Sequence, residues 1–483
     1  MKILLRLAVF SSLAAIACAG NPPAARPATR AAVSPPAAAG ASRFTVPVDY
    51  YKLPNGLKVV LSPDKTAPTA VVAVYYNIGF RIEPRDRTGF AHLFEHMMFQ
   101  GSQNLGKMEF IKLVQRNGGV LNGSTRFDFT NYFQIVPSHT LETILWAEAD
   151  RMRGLAITQE NLTNQQGVVK SEVRVNVLNQ PYGGFPWLDL PQAANTNWYN
   201  AHNFYGDLKE IDAATLDDVK KFFQTYYSPN NAALVVVGDF DPARTREWIE
   251  KYFAAIPSTP RPPAPDIREP RQDKEKRVAH PDALATRPAI AVGYHAPAQN
   301  TPEYYAMGLL DEILLQGKDS RLYEALVQKN GLTGDVTGGI NEDLGNMFNI
   351  NGPTLWIASL FHDPDKSPDA ILKVFDAEIE RVRAAPVDQA TLDLAIVKMR
   401  SRLYDNIEGF FGFGRADLLA SFALFNDDPG RINRLEDEFR RVTPDLLWKT
   451  AQEYLRPTNR TILLVEAKAP AKPAAAPGPE KKS

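Results

Sequence analysis

The feature that most limits the folds open to this chain is a repeat that spans about half its length. Residues 93–101, Leu-Phe-Glu-His-Met-Met-Phe-Gln-Gly, resemble residues 309–317, Leu-Leu-Asp-Glu-Ile-Leu-Leu-Gln-Gly. Residues 227–237, in which Pro-x-Asn precedes an apolar run, resemble residues 455–465. Two matched segments in the same order indicate a duplicated domain, and two copies are too few for a solenoid.

Proline-rich segments separate the two copies from each other and from the ends of the chain. The central segment reads Pro-Ser-Thr-Pro-Arg-Pro-Pro-Ala-Pro from residue 257. Because proline fixes φ and lacks a backbone donor, such a run predicts a linker between folded bodies. The predicted division is a signal peptide (1–18), an Ala/Pro-rich tether (19–43), an N-terminal domain (44–256), the linker (257–275), a C-terminal domain (276–467) and a disordered tail (468–483).

Within each copy, segments with strand patterns are mixed with segments of helical spacing. Residues 57–61 and 70–77 predict strands, and residues 88–101 and 163–178 predict helices. The mixture lacks a regular βαβ order, so it favours an α+β fold. We expect duplicated two-layer domains, each a mostly antiparallel sheet packed against helices. A net charge of −1 offers no whole-chain argument for nucleic-acid binding.

The first residues have the pattern of a secretory signal peptide. Lys2 and Arg6 flank an apolar run at residues 7–17, which ends in small residues. The run is too short to span a bilayer as a mature helix. We therefore expect an exported protein.

The lone cysteine of the chain lies where a bacterial lipoprotein would need one. Residues 15–18, Ala-Ile-Ala-Cys, resemble a lipobox, which predicts that Cys18 carries a lipid. The protein would then be a periplasmic or outer-membrane lipoprotein, attached to the membrane by its anchor alone. The alternative is cleavage after Ala17 or Ala19, which leaves a soluble periplasmic or secreted product.

The strongest chemical signal is His92-Leu93-Phe94-Glu95-His96. With one cysteine in the chain, metal ligands must be His, Asp or Glu. Two histidines four residues apart share one face of a helix, so both imidazoles reach one zinc ion. Glu95 lies beside them and is placed to take a proton from metal-bound water, as in the inverted zincin pattern H-x-x-E-H. The alternative is a chance match on an ordinary helix.

Two imidazoles need a third ligand to form a catalytic zinc site. Glu172 lies on the predicted helix at residues 163–178. Its position alone does not select it, because the chain has many acidic residues and most such glutamates lie on solvated faces.

With these residues the chain resembles the pitrilysin/insulinase family of zinc metallopeptidases, specifically its bacterial and mitochondrial processing-peptidase-like branch. The resemblance extends over nearly the whole mature chain. It implies that His92, His96 and Glu172 bind Zn²⁺ and that Glu95 is the general base.

A glycine-rich segment adds to the resemblance. Residues 118–125, with Asp128, Thr130 and Tyr132, are similar to the edge strand that pairs with an extended peptide in relatives. The resemblance makes Asn122, Gly123 and Ser124 candidate substrate-binding residues. An ordinary hairpin with a glycine turn explains the segment equally well.

Three positions depart from the family pattern. Gln165 stands where relatives carry a second glutamate near the ligands, so we expect altered pKa tuning there. Val327 and Gly334 stand where relatives carry an Arg and a Tyr that hold the substrate. Gly308 and Glu312 replace the two histidines in the second copy, which we expect to bind no zinc.

The resemblance predicts a zinc-dependent endopeptidase that cleaves extended peptides or unfolded segments. The missing Arg/Tyr pair predicts a heterodimer in which this chain carries the metal and a sibling carries the pair; a homodimer is the alternative. A non-catalytic scaffold subunit, or an envelope lipoprotein that binds metal or peptide, remains open. Residues 408–415, Glu-Gly-Phe-Phe-Gly-Phe-Gly-Arg, would line a peptide chamber or, as we favour, pack in the core or break a helix.

Overall fold

The computed structural model describes residues 44–467. The predicted signal peptide with Cys18, the tether at 19–43 and the tail at 468–483 lie outside this range. Residues 45–467 belong to one unit. Among the described residues, no helix has both the length and the apolar character needed to cross a membrane.

The first half of the chain forms a six-stranded sheet with helices packed on one face. Its strands occur in the order β1-β2-β6-β3-β5-β4, so β1 and β4 are the edges. The strands are β1 (Asp49–Lys52), β2 (Lys58–Pro63), β3 (Thr69–Tyr76), β4 (Val120–Thr125), β5 (Thr130–Pro137) and β6 (Ala232–Gly238). The helices are α1 (Phe90–Met97), α2 (Glu109–Arg116), α3 (Leu141–Arg153), α4 (Gln159–Val173), α5 (Asp189–Ala194), α6 (Trp198–Ala201), α7 (Leu208–Ala213), α8 (Leu216–Tyr226) and α9 (Pro242–Phe253).

The second half forms a five-stranded sheet in the order β7-β11-β8-β10-β9. Its strands are β7 (Lys276–Asp282), β8 (Ala289–His295), β9 (Thr337–Ile340), β10 (Leu355–Phe361) and β11 (Arg460–Ala467). Its helices are α10 (Pro302–Leu314), α11 (Arg321–Tyr323), α12 (Pro368–Ala384), α13 (Gln389–Glu408), α14 (Phe413–Asn426), α15 (Leu435–Arg440) and α16 (Pro444–Tyr454).

The two sheets share one topology. The order β2-β6-β3-β5-β4 in the first corresponds to β7-β11-β8-β10-β9 in the second. In each, the first pair is parallel and the others are antiparallel. The first repeated segment falls on α1 and α10, and the second leads into β6 and β11. The predicted fold class, duplicated α+β domains with mostly antiparallel sheets, is confirmed.

Helix α14 of the second half covers the other face of the first sheet. Its Leu418 and Phe422 belong to the same core cluster as Val71, Phe133 and Val235 of that sheet. The first sheet is therefore buried on both faces, which accounts for its nearly continuous apolar strands.

Buried polar contacts also join the halves. Arg81 is fully buried, donates to Asp128 at 2.7 Å and donates to the carbonyl of Pro353 at 2.9 Å. The hydroxyl of Tyr75 on β3 donates to Asp417 on α14 at 2.7 Å. These contacts fix the second half against the sheet that carries the candidate site.

Two predicted helices have different bounds in the structure. The helix predicted at 88–101 is α1, which begins after Gly89, whose φ of 79° is a left-handed conformation outside the helix. The helix predicted at 163–178 begins earlier, since Thr158 caps α4 by accepting from the backbone N–H of Asn161. A π-helical turn, Arg174–Leu178, replaces its predicted last turn.

Candidate metal centre

Helix α1 places the two histidines. Its first turn is capped by the buried carboxylate of Glu83, which accepts from the backbone N–H groups of Gly89 at 2.8 Å and Ala91 at 2.5 Å. The apolar residues of the helix pack into the core beneath the first sheet. His92 is 3% exposed, and its ring lies 4.9 Å from that of His96 one turn later.

Helix α4 brings Glu172 to these histidines. Its buried residues Leu162 and Val169 pack into the same core, and Val173 belongs to a second apolar cluster with Phe204 and Tyr205. Nε2 of His96 lies 3.1 Å from one carboxylate oxygen of Glu172, and Nε2 of His92 lies 3.5 Å from the other. The π-helical turn follows almost directly after Glu172, and such turns are frequent at functional sites.

The three side chains fit a zinc ion. One donor atom from each of His92, His96 and Glu172 lies within 4.8 Å of the others. Neighbouring ligands of a tetrahedral zinc ion with bonds of about 2.0–2.1 Å are about 3.3 Å apart, which falls between the two measured separations. Within residues 44–467, this is the group of three His or acidic side chains that meets this spacing.

The charges at the centre favour a cation. Burial raises the pKa of Glu172, but hydrogen bonds and charge from His92 and His96 outweigh it and hold the pKa well below its usual value. Glu172 is therefore a carboxylate at neutral pH, as a metal ligand must be.

Glu95 lies beside the three ligand candidates, and its carboxylate is held by the edge strand. Its Oε2 accepts a 2.8 Å hydrogen bond from the hydroxyl of Thr125 on β4. Gly123 of the same strand lies against it, because a Cβ on Gly123 would stand 3.3 Å from Cγ of Glu95. Any larger residue at 123 would crowd this carboxylate.

The predicted substrate-binding residues Asn122, Gly123 and Ser124 all lie on β4, which pairs with β5 on one side and has a free edge on the other. Gly123 faces Glu95, while Asn122 and Ser124 belong to the opposite face because strand side chains alternate. Ser124 donates to Asn131 at 2.6 Å.

Gln165 lies on α4 next to the ligands, where the sequence predicted a neighbour of the metal site. It is buried and makes a side-chain hydrogen bond to His96. An amide here orients the imidazole without adding negative charge.

A cavity of about 360 Å³ opens beside the ligand candidates. Six of its lining residues were not predicted from the sequence: Arg126, Trp187, Phe204, Tyr205, Asp343 and Leu344. The ring of Tyr205 lies 4.9 Å from that of His92. Burial, and then the carboxylates of Glu172 and Glu95, raise the pKa of Tyr205 to about 12, so its hydroxyl stays protonated at neutral pH.

Two of these residues, Asp343 and Leu344, come from the second half. The carbonyl of Asp343 lies 3.5 Å from a guanidinium nitrogen of Arg126, which belongs to the turn between β4 and β5. No local pattern in the sequence marked this loop, because packing between the halves brings it to the site.

In the second copy, different side chains occupy the positions that correspond to His92 and His96. Gly308 and Glu312 lie on α10, and Glu312 is buried with its carboxylate 2.9 Å from Arg402. Asp311 beside it accepts from the indole N–H of Trp356 at 2.7 Å. An ion pair thus occupies the position that corresponds to the metal centre.

Comparison with known proteins identifies the family to which this chain belongs. The model described as Insulinase (Peptidase family M16) matches residues 58–182, and the one described as Peptidase M16 inactive domain matches residues 213–399. Together they cover more than half of the chain. The chain belongs to the M16 (insulinase/pitrilysin) peptidase family. The inactive-domain match includes α10, where Gly308 and Glu312 replace the histidines.

Relatives agree with this assignment. The zinc protease PqqE of Helicobacter pylori is 29% identical over 422 residues, which cover 86% of this chain and 91% of that protein. A protease crystal structure from Helicobacter pylori has a TM-score of 0.79 at 27% identity and covers 87% of this chain and 100% of its own. An M16 inactive-domain structure from Pseudomonas fluorescens, at 17% identity, shares the fold with a TM-score of 0.76 over 89% of this chain and 100% of its own. The M16 resemblance seen in the sequence is confirmed.

Proposed function

We propose that this M16 chain is a zinc-dependent endopeptidase that cleaves extended peptides or unfolded segments. One arrangement carries the proposal. His92, His96 and Glu172 converge on one point, and the carboxylate of Glu95, which is not one of the three, lines the same cavity and accepts a hydrogen bond from Thr125 on the edge strand β4.

His92, His96 and Glu172 would hold the zinc ion, with Gln165 orienting His96. The bound ion would supply a Lewis acid that polarises the scissile carbonyl and acidifies water. Glu95 accepts the proton of the attacking water and returns it to the leaving amine. The Thr125 hydroxyl holds one oxygen of Glu95 at 2.8 Å and so fixes the direction in which the other oxygen acts.

The edge strand supports the substrate class. β4 offers unpaired backbone N–H and C=O groups along its free edge, and an extended peptide pairs with such an edge. An unfolded segment offers its whole backbone for this pairing, whereas most backbone groups of a folded protein are already paired. Asn122, Gly123 and Ser124 would therefore contact the substrate backbone.

The test is Glu95→Gln, with zinc content and cleavage of quenched fluorescent peptides measured together. We expect one zinc ion per chain in both proteins and a loss of about 10²–10⁴ in rate for the variant, the usual contribution of a general base. A scaffold subunit would keep its cellular role in this variant. A protein that merely binds metal or peptide would show zinc without hydrolysis in either form.

We further propose that this chain is the metal-bearing subunit of a heterodimer whose sibling supplies the Arg/Tyr pair. Val327 and Gly334 offer neither a cation nor a phenol. Gly334 has no atom within 4 Å of where a Cβ would stand, so a side chain at this position begins without a clash. We expect a co-encoded sibling, or V327R/G334Y in a homodimer, to raise peptide cleavage. Full activity of the chain alone would contradict the heterodimer.

Export and attachment through Cys18 complete the proposal and rest on the N-terminal sequence. Cell fractionation of the full chain and of Cys18→Ala tests it. We expect the parent in the membrane fraction and the variant in the soluble periplasm, whereas a soluble parent would leave plain signal cleavage as the explanation.

A further inference from the structure

Two exposed phenylalanines form the turn between α13 and α14. Phe410 and Phe411 have φ values of 48° and 56°, and Gly412 follows with 87°. Left-handed conformations are costly for bulky residues. Even so, Phe410 is 52% and Phe411 74% exposed. Packing in the core does not account for them, although the segment does break the helix as the sequence favoured.

The turn lies one side chain away from the edge strand. The ring of Phe410 is 6.0 Å from that of Phe133 on β5, and Phe413 stacks on Phe133 at 3.8 Å. Phe133 is the direct cross-strand partner of Asn122 on β4. Phe413 thus anchors the turn to the sheet, and Phe410, with Phe411 next to it, packs on β5, the strand that pairs with β4.

The edge strand presents a different surface on each face. Gly123 and Thr125 face Glu95. Val120 and Asn122 pair with Ile135 and Phe133, so they share the face that carries α14 and the turn, since paired residues point to the same side. Val120 is 48% exposed and extends the apolar surface along this face.

A peptide that adds to β4 has the same alternation. The peptide residue opposite Gly123 points toward Glu95. The peptide residues that pair with Asn122 and Val120 lie one and three positions further along the peptide. Their side chains point to the face of the sheet that carries Phe410 and Phe411. The aromatic pair therefore lies on the face of the sheet to which these two peptide side chains point.

We propose that Phe410 and Phe411 form a specificity subsite that accepts aromatic or large aliphatic side chains of the substrate. The substrate class is then an unfolded segment with apolar residues two positions apart on one side of the cleaved bond. This inference rests on the proposed peptidase function, since the peptide is the occupant of the edge strand.

The experiment scans Phe and Ala along a peptide on both sides of a fixed cleavage site and measures kcat/KM with zinc-loaded protein. For the parent we expect a preference for Phe of about tenfold at two alternate positions, the size of a modest apolar contact. F410A/F411A should lose this preference, so that its kcat/KM for the Phe peptides falls about tenfold, to that for the all-Ala peptide. F410L/F411L should retain the preference.

The matched control is L394A/V397A, which removes two exposed apolar side chains from α13 of the same half and should leave the preference unchanged. A parent without the preference, or an F410A/F411A variant that keeps it, would overturn the subsite. The subsite would also be overturned if F410A/F411A dissociated from the sibling subunit and kept its selectivity for Phe. The two phenylalanines would then belong to a subunit interface.

Failure of the proposed function is recognised separately. If the parent cleaves none of the peptides, the peptidase proposal fails. The subsite is then judged by fluorescence anisotropy, in which equal affinity for the Phe and Ala peptides would overturn it.

Discussion

The carboxylate of Glu95 on α1 accepts a 2.8 Å hydrogen bond from the hydroxyl of Thr125 on β4. This bond joins the helix that carries the two histidines to the strand whose free edge would receive the peptide. The bond therefore positions Glu95, the proposed general base, relative to β4, the strand that we propose binds the peptide.

Thr125→Val tests this coupling. The change keeps the shape of the buried side chain and removes the hydroxyl, so Glu95 loses its fixed orientation. We expect kcat to fall about tenfold, a loss of ~1.4 kcal/mol in transition-state stabilisation, with KM and zinc content unchanged and the acidic limb of the pH profile displaced. Thr125→Ser should restore the rate. A parental rate in the valine variant would show that the bond is structural only.

Removing a ligand candidate should abolish both zinc binding and its effect on stability. For Glu172→Gln and His92→Ala we expect less than one zinc ion per chain by elemental analysis. A ligand at 100 times its Kd stabilises the folded state by about 2.7 kcal/mol, so a chelator should lower the Tm of the parent and not that of the variants. Gln165→Glu, which lies next to the ligands, is the control and should retain the metal. Stoichiometric zinc in His92→Ala would contradict the site.

The buried pair of Arg81 and Asp128 should be costly to break. Arg81 is fully buried and joins the first half to the carbonyl of Pro353 in the second. Arg81→Leu leaves the Asp128 carboxylate buried without its partner, and we expect a loss of about 3–5 kcal/mol in the free energy of unfolding. Urea denaturation measures it. Arg268→Ala, which breaks an exposed pair with Asp266, is the control and should leave the free energy of unfolding nearly unchanged.

Glu342 should make stability fall as pH rises. Burial, and then the charges of Asp343 and Asp311, raise its pKa to about 7 from a usual 4.5. The folded chain therefore binds this proton more tightly than the unfolded chain, and the stability it contributes below pH 4.5 is lost as pH rises through 7. We expect Glu342→Gln to be more stable than the parent at pH 8, with a smaller difference at pH 5.

The control for Glu342→Gln is Glu466→Gln. Glu466 is an exposed glutamate near the end of β11, and this variant should have the stability of the parent at both pH values. Chemical denaturation at each pH gives the comparison. A Glu342→Gln variant that is less stable at pH 8 would show that the carboxylate is held ionised by its neighbours.

Local patterns predicted those features whose cause is local. The helix of His92 and His96 follows from apolar spacing, and their shared face follows from a separation of one helical turn. The duplicated topology follows from segments that repeat in the same order. Glu172 was different, because nothing in its own neighbourhood separates it from other helical glutamates; a resemblance selected it, and α4 brings it within 3.1 Å of His96.

The sequence by itself determined that the chain carries two copies of one fold, and that one copy keeps H-x-x-E-H while the other has Gly308 and Glu312 in place of its histidines. Tertiary structure alone decided that Asp343 and Leu344 from the second copy line the cavity of the first, and that Phe410 packs on Phe133, the cross-strand partner of Asn122. The reason is physical: backbone periodicity acts over a few residues and leaves a trace in the order of the side chains. Packing between elements hundreds of residues apart depends on shape and burial, which no short stretch of sequence contains.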